Sequence, residues 1–493
     1  MPRTIPHLSQ RPFFTFYGAA DSVSGSMHLV DTGRSKILLD CGKSFGQKES
    51  TAVRPGTRLG RFGARGGKSR QDEEVEFPFS PSDIDLVLIS HAHIDHCGSL
   101  PLLVKQGFRG NILCTQSTLD LLEIVLYDVA RIHERELERT SYYPGSRRGR
   151  SREREFSDSQ FISYDDVDAT LRLFQGVDYN ESLQPLPDVK IRMHNSAHVL
   201  GSSMIEMEIA NAEVGSRSLV FTGDLGRFNF PFIGTPAPVP DCDLIVCEST
   251  YGNRFHEPFD VTLAKLAELI NETIEGGGKA LIPAFSLGRT NFLKCCLLEL
   301  IRNKAIPNVP ICIDSPLASQ FDYVYREFGN DGLLTVSESD AETDSIEWLE
   351  SGDEAWWRTT SKEPCIIIAS GGMCEGGRIM DHLRYHIDDP RDCLILVSYQ
   401  APDSLGAELL SNAPRVWFQG RFWNKWIRVE QIQGFSAHGD QRDLTRLLES
   451  VNPERQICLV HGESEAKLAF RDHLASKGFA NVTIPALFDS VEI

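Results

Sequence analysis

Along the first third of the chain, apolar residues come in short runs rich in β-branched and aromatic side chains: FFTFYGAA, SMHLVDT, SKILLDCG and IDLVLIS, each broken by Gly or Asp. Runs of this length and make-up predict strands. Residues 117–139 change period, with apolar positions every three or four residues, which predicts a helix fading into the Arg- and Ser-rich YYPGSRRGRSRERE, read as a flexible tail. A second strand-rich region covers about 188–250, including VKIRMHNS, SSMIEMEI, SLVFTGD and LIVCEST. From about 255 the rhythm changes again. DVTLAKLAELINETIEGGG has an Asp start signal and a Gly stop; strand-like KALIPAF, VPICIDS, CIIIAS and CLILVSY then alternate with helical LGRTNFLKCCLLELIRN and RIMDHLRYHI. Such alternation predicts a mostly parallel sheet covered on both faces, an α/β architecture unlike the first half. From RQICLVHGE onward the pattern is strand, helix, strand.

Composition sets the bounds. A chain of 493 residues with 41% hydrophobic and 24% charged residues is ordinary globular material for two or three domains, not a disordered, collagenous or coiled-coil chain. Twelve scattered cysteines without a CxxC pair argue against a disulfide framework and a Cys-ligated zinc site, and fit a reducing cytoplasm. The N-terminal MPRTIPHLSQRPFF lacks a signal-peptide apolar core, and no apolar run approaches the ~18 residues of a membrane span. The expectation is a cytoplasmic chain with no membrane partner. A formal charge of −19 should repel polyanions on average, but the basic residues are concentrated. Residues 51–70 carry six basic and no acidic side chains, and residues 131–154 carry eight Arg against four Glu. These stretches read either as grips on a polyanion or as solvated loops.

The densest chemistry lies in IDLVLISHAHIDHCG. An apolar strand ends at Ser90 and is followed at once by His91, His93, Asp95 and His96. Imidazole and carboxylate suit zinc-like ions, and burying so many polar groups costs free energy unless something satisfies them. This HxHxDH pattern resembles the signature of the metallo-β-lactamase superfamily. The resemblance extends to His198 in IRMHNSAHVLGS, Asp224 in SLVFTGDLGR and His461 in QICLVHGE, with Asp40 of KILLDCG as a supporting carboxylate behind the ligands. It implies two Zn2+ ions, one on His91, His93 and His198, the other on Asp95, His96 and His461, bridged by Asp224. Two ions ~4 Å apart suit phosphodiester hydrolysis, and Asp95 also counts among the catalytic residues.

Three further motifs narrow the family. CESTYGNR carries Glu248, GFSAHGD carries His438, and LVHGE carries His461, 23 residues later. They resemble motifs A, B and C of the β-CASP nucleases, in the short bacterial and archaeal form similar to the endonuclease subunit of the mRNA 3′-end cleavage and polyadenylation machinery. The implied fold is a metallo-β-lactamase αββα sandwich with an inserted α/β β-CASP cap. The lactamase domain would comprise residues 1–252 and 437–493, with the cap over 253–436. RNA-directed members carry His at motif C where the DNA-repair branch has Val, so the resemblance implies a ribonuclease acting on single-stranded RNA. It would be an endonuclease, with 5′-exonuclease activity open, leaving 5′-phosphate and 3′-hydroxyl ends. His438, oriented by Glu248, would be the general acid. Ser436, Arg289 and the GGMCEGGR turn are candidate phosphate contacts, with plain connection geometry the other reading. His382 and His386, four apart, read as helix-surface residues. A homodimer stays open as an assembly, as do a DNA-acting nuclease and a small-molecule ester or thioester hydrolase as functions.

Overall fold

The computed structural model describes residues 11–43, 77–142, 161–328 and 345–493, apart from 229, 232, 402 and 403. The basic stretch 51–70, and residues 143–154 of the second one, lie outside the described residues.

Period-two alternation builds a sandwich from two seven-stranded sheets. In spatial order the first is Ser490–Glu492, Phe13–Phe16, His28–Asp31, Lys36–Leu39, Leu86–Leu88, Asn111–Thr115 and Phe174–Val177. The second is Asn481–Thr483, Gln456–Val460, Leu244–Glu248, Gly215–Phe221, Ser203–Asn211, Val189–Asn195 and Leu183–Leu186. Phe14, Phe16, Ile37, Leu39, Leu86 and Leu88 meet Met193, Ile205, Met207, Leu219, Phe221 and Val246 in the shared core. The residues between them point outward. Leu38, Val87 and Ile112 pack under the helices Leu100–Lys105, Gln116–Tyr142 and Tyr164–Leu171. Val220, Ile245, Cys247 and Leu459 pack under Gln441–Leu447 and Ser464–Ser476. Both sheets are therefore apolar on both faces, which gives the αββα layering.

Residues 259–431, between Leu244–Glu248 and the helix Gln441–Leu447, build the cap. Six strands lie in the order Ile346–Trp348, Ile311–Asp314, Ile366–Ser370, Ala280–Ala284, Cys393–Leu396, Arg428–Gln431, and every pair is parallel. Ala280, Ile282, Ile366, Ile368 and Ile395 face the helices Phe259–Glu275 and Arg289–Arg302, while Leu281, Ile367, Leu394 and Leu396 face Ile379–His386. The first cap helix begins at Phe259, after Pro258, so Asp260 falls in its first turn instead of capping it. There the carboxylate favours the helix through the backbone dipole.

His382 and His386 correct the surface reading. Both are buried: His382 lies between Asp314 (3.0 Å) and Thr359 (2.8 Å), and His386 lies 2.7 Å from Asp392. Their partners come from other segments, which is what makes a polar i, i+4 pair tolerable inside. Among the described residues no helix is long and apolar enough to cross a membrane, and none of the twelve cysteines is paired.

Candidate metal centre

The site collects where parallel strands end. In the first sheet Lys36–Leu39 and Leu86–Leu88 run parallel, and Asp40 and Ser90–His96 follow them. In the second, Gly215–Phe221, Leu244–Glu248 and Gln456–Val460 run parallel, and Asp224, Glu248 and His461 stand at or just past their ends. Gly223 lets the two sheets close up here: its φ is +51°, and an added Cβ would sit 2.6 Å from Ser90 Cβ. Asp40 and His461 also adopt positive φ, 57° and 48°. Backbone conformations uncommon for side-chain-bearing residues concentrate at functional sites.

Ligand-type atoms of His91, His93, His198 and Asp224 lie within 4.8 Å of one another, as do those of Asp95, His96 and His461. Between imidazoles the approaches are close: His91 Nε2 to His93 Nδ1 3.0 Å, His93 Nδ1 to His198 Nε2 3.2 Å, and His96 Nε2 to His461 Nε2 3.3 Å. Asp224 stands between the groups. Its Oδ2 is 3.5 Å from both His91 Nε2 and His198 Nε2, and its Oδ1 is 3.4 Å from His96 Nε2 and from His461 Nδ1. Asp224 Oδ1 is buried without a hydrogen-bond donor. A buried carboxylate oxygen in that state calls for a cation.

Electrostatics agrees. Burial pushes His91 and His198 well below the usual histidine range and His93 down to about 4, so all three are neutral, with the lone pairs a metal needs. Around His96 burial again disfavours charge, but Asp224, Asp40 and Asp95 outweigh it and push its pKa up to about 10. Negative charge converges on that spot. The donor set therefore fits zinc-class divalent ions at two neighbouring positions.

Asp40 holds the arrangement from behind. It accepts hydrogen bonds from the Ser90 N–H (2.8 Å), Ser90 Oγ (2.9 Å) and Ser26 Oγ (3.2 Å), and its Oδ2 lies 2.6 Å from His96 Nδ1. A carboxylate behind a metal-binding imidazole fixes the ring and raises its basicity. Asn tolerates the same left-handed backbone. Asp40→Asn is therefore expected to fold but to bind metal about 10- to 100-fold more weakly, measured by chelator competition. Unchanged affinity would reduce Asp40 to a packing role.

Beside Asp224 sits a third group. His438 Nδ1 is 3.0 Å from Glu248 Oε1, and its Nε2 is 3.9 Å from Asp224 Oδ2. Glu248 is buried and also accepts from the Leu225 N–H (2.8 Å) and the Thr250 N–H (3.0 Å). Burial favours its neutral form, yet His438 and these donors prevail and push its pKa down to about 2. Burial likewise opposes charge on His438, but Glu248 and Asp224 push its pKa up to about 9.

Further side chains surround these groups. His256 Nε2 is 3.0 Å from the His438 carbonyl, and Thr250 Oγ1 is 3.1 Å from His461 Nδ1. Arg227 donates to the carbonyls of Gly434 (2.6 Å) and Ser436 (3.3 Å), tying the loop after Asp224 to the segment before His438. Ser436 is buried at that junction. Arg289 donates to the Val397 carbonyl at the end of a neighbouring cap strand, and burial pushes its pKa down to about 10.

An αββα sandwich with this ligand set at its strand ends has the architecture of a metal-dependent hydrolase. Family models agree in three places: the metallo-β-lactamase superfamily over residues 21–114, the Beta-Casp domain over 293–409, and the Zn-dependent metallo-hydrolase RNA specificity domain over 427–485. The chain is 31% identical over 468 residues to Ribonuclease TTHA0252 of Thermus thermophilus, covering 94% of this chain and 96% of that one. It is 28% identical to Transcription termination factor FttA of Methanosarcina mazei, covering 92% of this chain and 67% of the relative. A crystal structure of a protein of unknown function from Enterococcus faecalis V583 shares the fold, with TM-score 0.50 and 11% identity over 98% of this chain and all of the other. This protein belongs to the β-CASP family of the metallo-β-lactamase superfamily.

Proposed function

We propose that this chain hydrolyses phosphodiester bonds in single-stranded RNA, as a cytoplasmic endonuclease in RNA processing or decay. It would use two zinc ions, one on His91, His93 and His198 and one on Asp95, His96 and His461, shared through Asp224. The observation that carries this reading is the split of the Asp224 carboxylate between the two ligand groups, with the His438–Glu248 pair alongside. When bound, the two ions supply positive charge that activates water and neutralises the phosphate.

The remaining steps belong to the chain's own side chains. Glu248 holds the Nδ1 proton of His438 and so turns Nε2 toward Asp224. His438 carries a second proton on Nε2 and gives it to the departing 3′ oxygen, leaving a 3′-hydroxyl and a 5′-phosphate. A small-ester hydrolase would have no use for this pair. His461 at the third motif and the relatives named ribonuclease and transcription termination factor support RNA over DNA.

The test is metal-loaded protein incubated with 5′- and 3′-labelled single-stranded RNA beside matched DNA. Internal cuts in RNA with 5′-phosphate products are expected, and release of single nucleotides from the 5′ end would add exonuclease action. No cut in either polymer with metal bound would overturn the proposal, as would cleavage of DNA alone.

A further inference from the structure

The cap carries a two-stranded hairpin, Arg415–Phe418 and Arg421–Asn424, which lies between the segments 293–409 and 427–485 that the family models match. Its turn residues Gln419 and Gly420 have φ of 47° and 84°, positive values that suit the twist of a tight hairpin. The inner face is packed. Val416, Phe418 and Trp423 join the core beneath, with Phe418 stacked on Trp423 at 5.2 Å. The outer face is not. Trp417 and Phe422, opposite one another in the register, are 52% and 66% exposed and meet edge to face at 4.8 Å. Beside them the Arg415 and Asn424 side chains are hydrogen-bonded at 3.0 Å, and Trp426 is 61% exposed.

Charge selects the occupant. Residues 414–428, PRVWFQGRFWNKWIR, contain three Arg, one Lys and no acidic residue in a chain of net charge −19. Arg428 is taken up by Glu272 and Glu430. Among the described residues the others form no salt bridge: Arg415 bonds Asn424 on the outer face, Arg421 lies 3.4 Å from the ring centroid of inner-face Trp423, and Lys425, within the field of Glu408, donates to the carbonyls of Leu409 and Ser411. A cationic patch with exposed aromatic rings complements an anionic chain whose bases can stack.

The hairpin is also well placed. At its base Trp426 N–H and Ile427 N–H donate to the Ile387 carbonyl; near its tip Gln419 Nε2 donates to the Met380 carbonyl at 3.4 Å. It therefore runs the length of the helix Ile379–His386. Its tip reaches the strand-end edge of the cap, where Arg428–Gln431 leads on through Gln433–Phe435 to Ser436 and His438.

We propose that the outer face of this hairpin is a stacking platform for single-stranded RNA, with bases against Trp417 and Phe422 and a phosphate at Arg415, the cation that shares their face. The proposal rests on the RNA-hydrolase reading and extends it to substrate away from the cut.

The experiment compares metal-loaded full-length protein with its Trp417→Ala/Phe422→Ala variant on single-stranded RNAs of about 30 and about 6 nucleotides, lengths that do and do not exceed common single-strand footprints. For the long RNA, KM is expected to rise about tenfold with kcat unchanged, and the short RNA should be cut as before. Because the inner face is untouched, the melting curve should not move, and Trp417→Phe/Phe422→Tyr should restore most of the loss. Arg415→Gln should flatten the salt dependence of binding by about 0.7 per charge removed. An unchanged KM for long RNA would overturn the platform, as would a change in oligomeric state as the sole effect. If the parent cuts no RNA, the hydrolase reading has failed; binding of labelled oligo(U) to parent and variant then judges the platform, and equal binding overturns it.

Discussion

Protein carrying Asp224→Ala is expected to lose both metal ions, and with them RNA cleavage by on the order of 10⁴-fold or more, since groups that act as a unit fail together. The reason is geometric. Among the described residues Asp224 is the carboxylate that lies within 4 Å of imidazoles of both groups, with Oδ2 3.5 Å from His91 and His198 and Oδ1 3.4 Å from His96 and His461. Alanine leaves the first group three neutral imidazoles with no carboxylate within 4 Å among the described residues, and the second loses one of its three carboxylate neighbours, keeping Asp95 and Asp40. Metal analysis of the purified variant should fall from about two equivalents to below one. Asp224→Asn, which keeps one acceptor oxygen, should retain at most one ion. The expected loss of metal is also a loss of stability, because an ion that binds only the folded state contributes about 4 kcal/mol at a thousandfold excess over its Kd. The parent should therefore melt lower after chelation and the variant should not respond. A variant that keeps two ions would remove Asp224 from the bridge.

His438→Ala should separate chemistry from metal binding. General acids contribute roughly 10²- to 10⁴-fold, so kcat is expected to fall by about 10³ with metal content and RNA affinity at parental values. Loss of an ion would instead make His438 a ligand, a role its position within 4.8 Å of Asp224 and Glu248 would allow. Glu248→Gln tests the same pair through pH. The Glu248 charge raises the pKa of His438, and a general acid acts in its protonated form. Activity is therefore present below that pKa and lost as pH rises through it. Removing the charge lowers the pKa, so the alkaline limb of the kcat/KM profile should move to lower pH in the variant. A limb that stays in place would mean that another group sets it.

What could be read from the chain without its coordinates was largely what sits at the ends of apolar runs. IDLVLISHAHIDHCG and SLVFTGDLGR each announce a strand and then a change of chemistry, one in each sheet of the sandwich. His91, His93, Asp95 and His96 are legible as a group because they stand within six residues, and the metallo-β-lactamase resemblance adds Asp224, 128 residues after His96. Side chains whose meaning lies in a distant partner were not legible in this way. His382 and His386 look like a solvated pair until Asp314, Thr359 and Asp392 are folded around them. His256 has no motif, and only the fold reveals it beneath the His438 carbonyl. The last strand, Ser490–Glu492, pairs with Phe13–Phe16 in the other sheet from its neighbours, a crossing that no local pattern announces. The outer row of the hairpin was hidden for a related reason: the alternation of Val416, Trp417 and Phe418 is apolar on both faces, and periodicity does not say which face is covered.

The strand-end assembly of the centre also bears on how the enzyme is made. His91, His198 and Asp224 leave the ribosome early, but His438 and His461 follow the whole cap, and the strand Gln456–Val460 slots in beside Leu244–Glu248. Chains are synthesised and begin folding from the N-terminus. A polypeptide that ends within the cap thus holds six of the seven candidate ligands and lacks both His438 and His461. The centre therefore stays open on the His461 side until Gln456–Val460 is in place beside Leu244–Glu248.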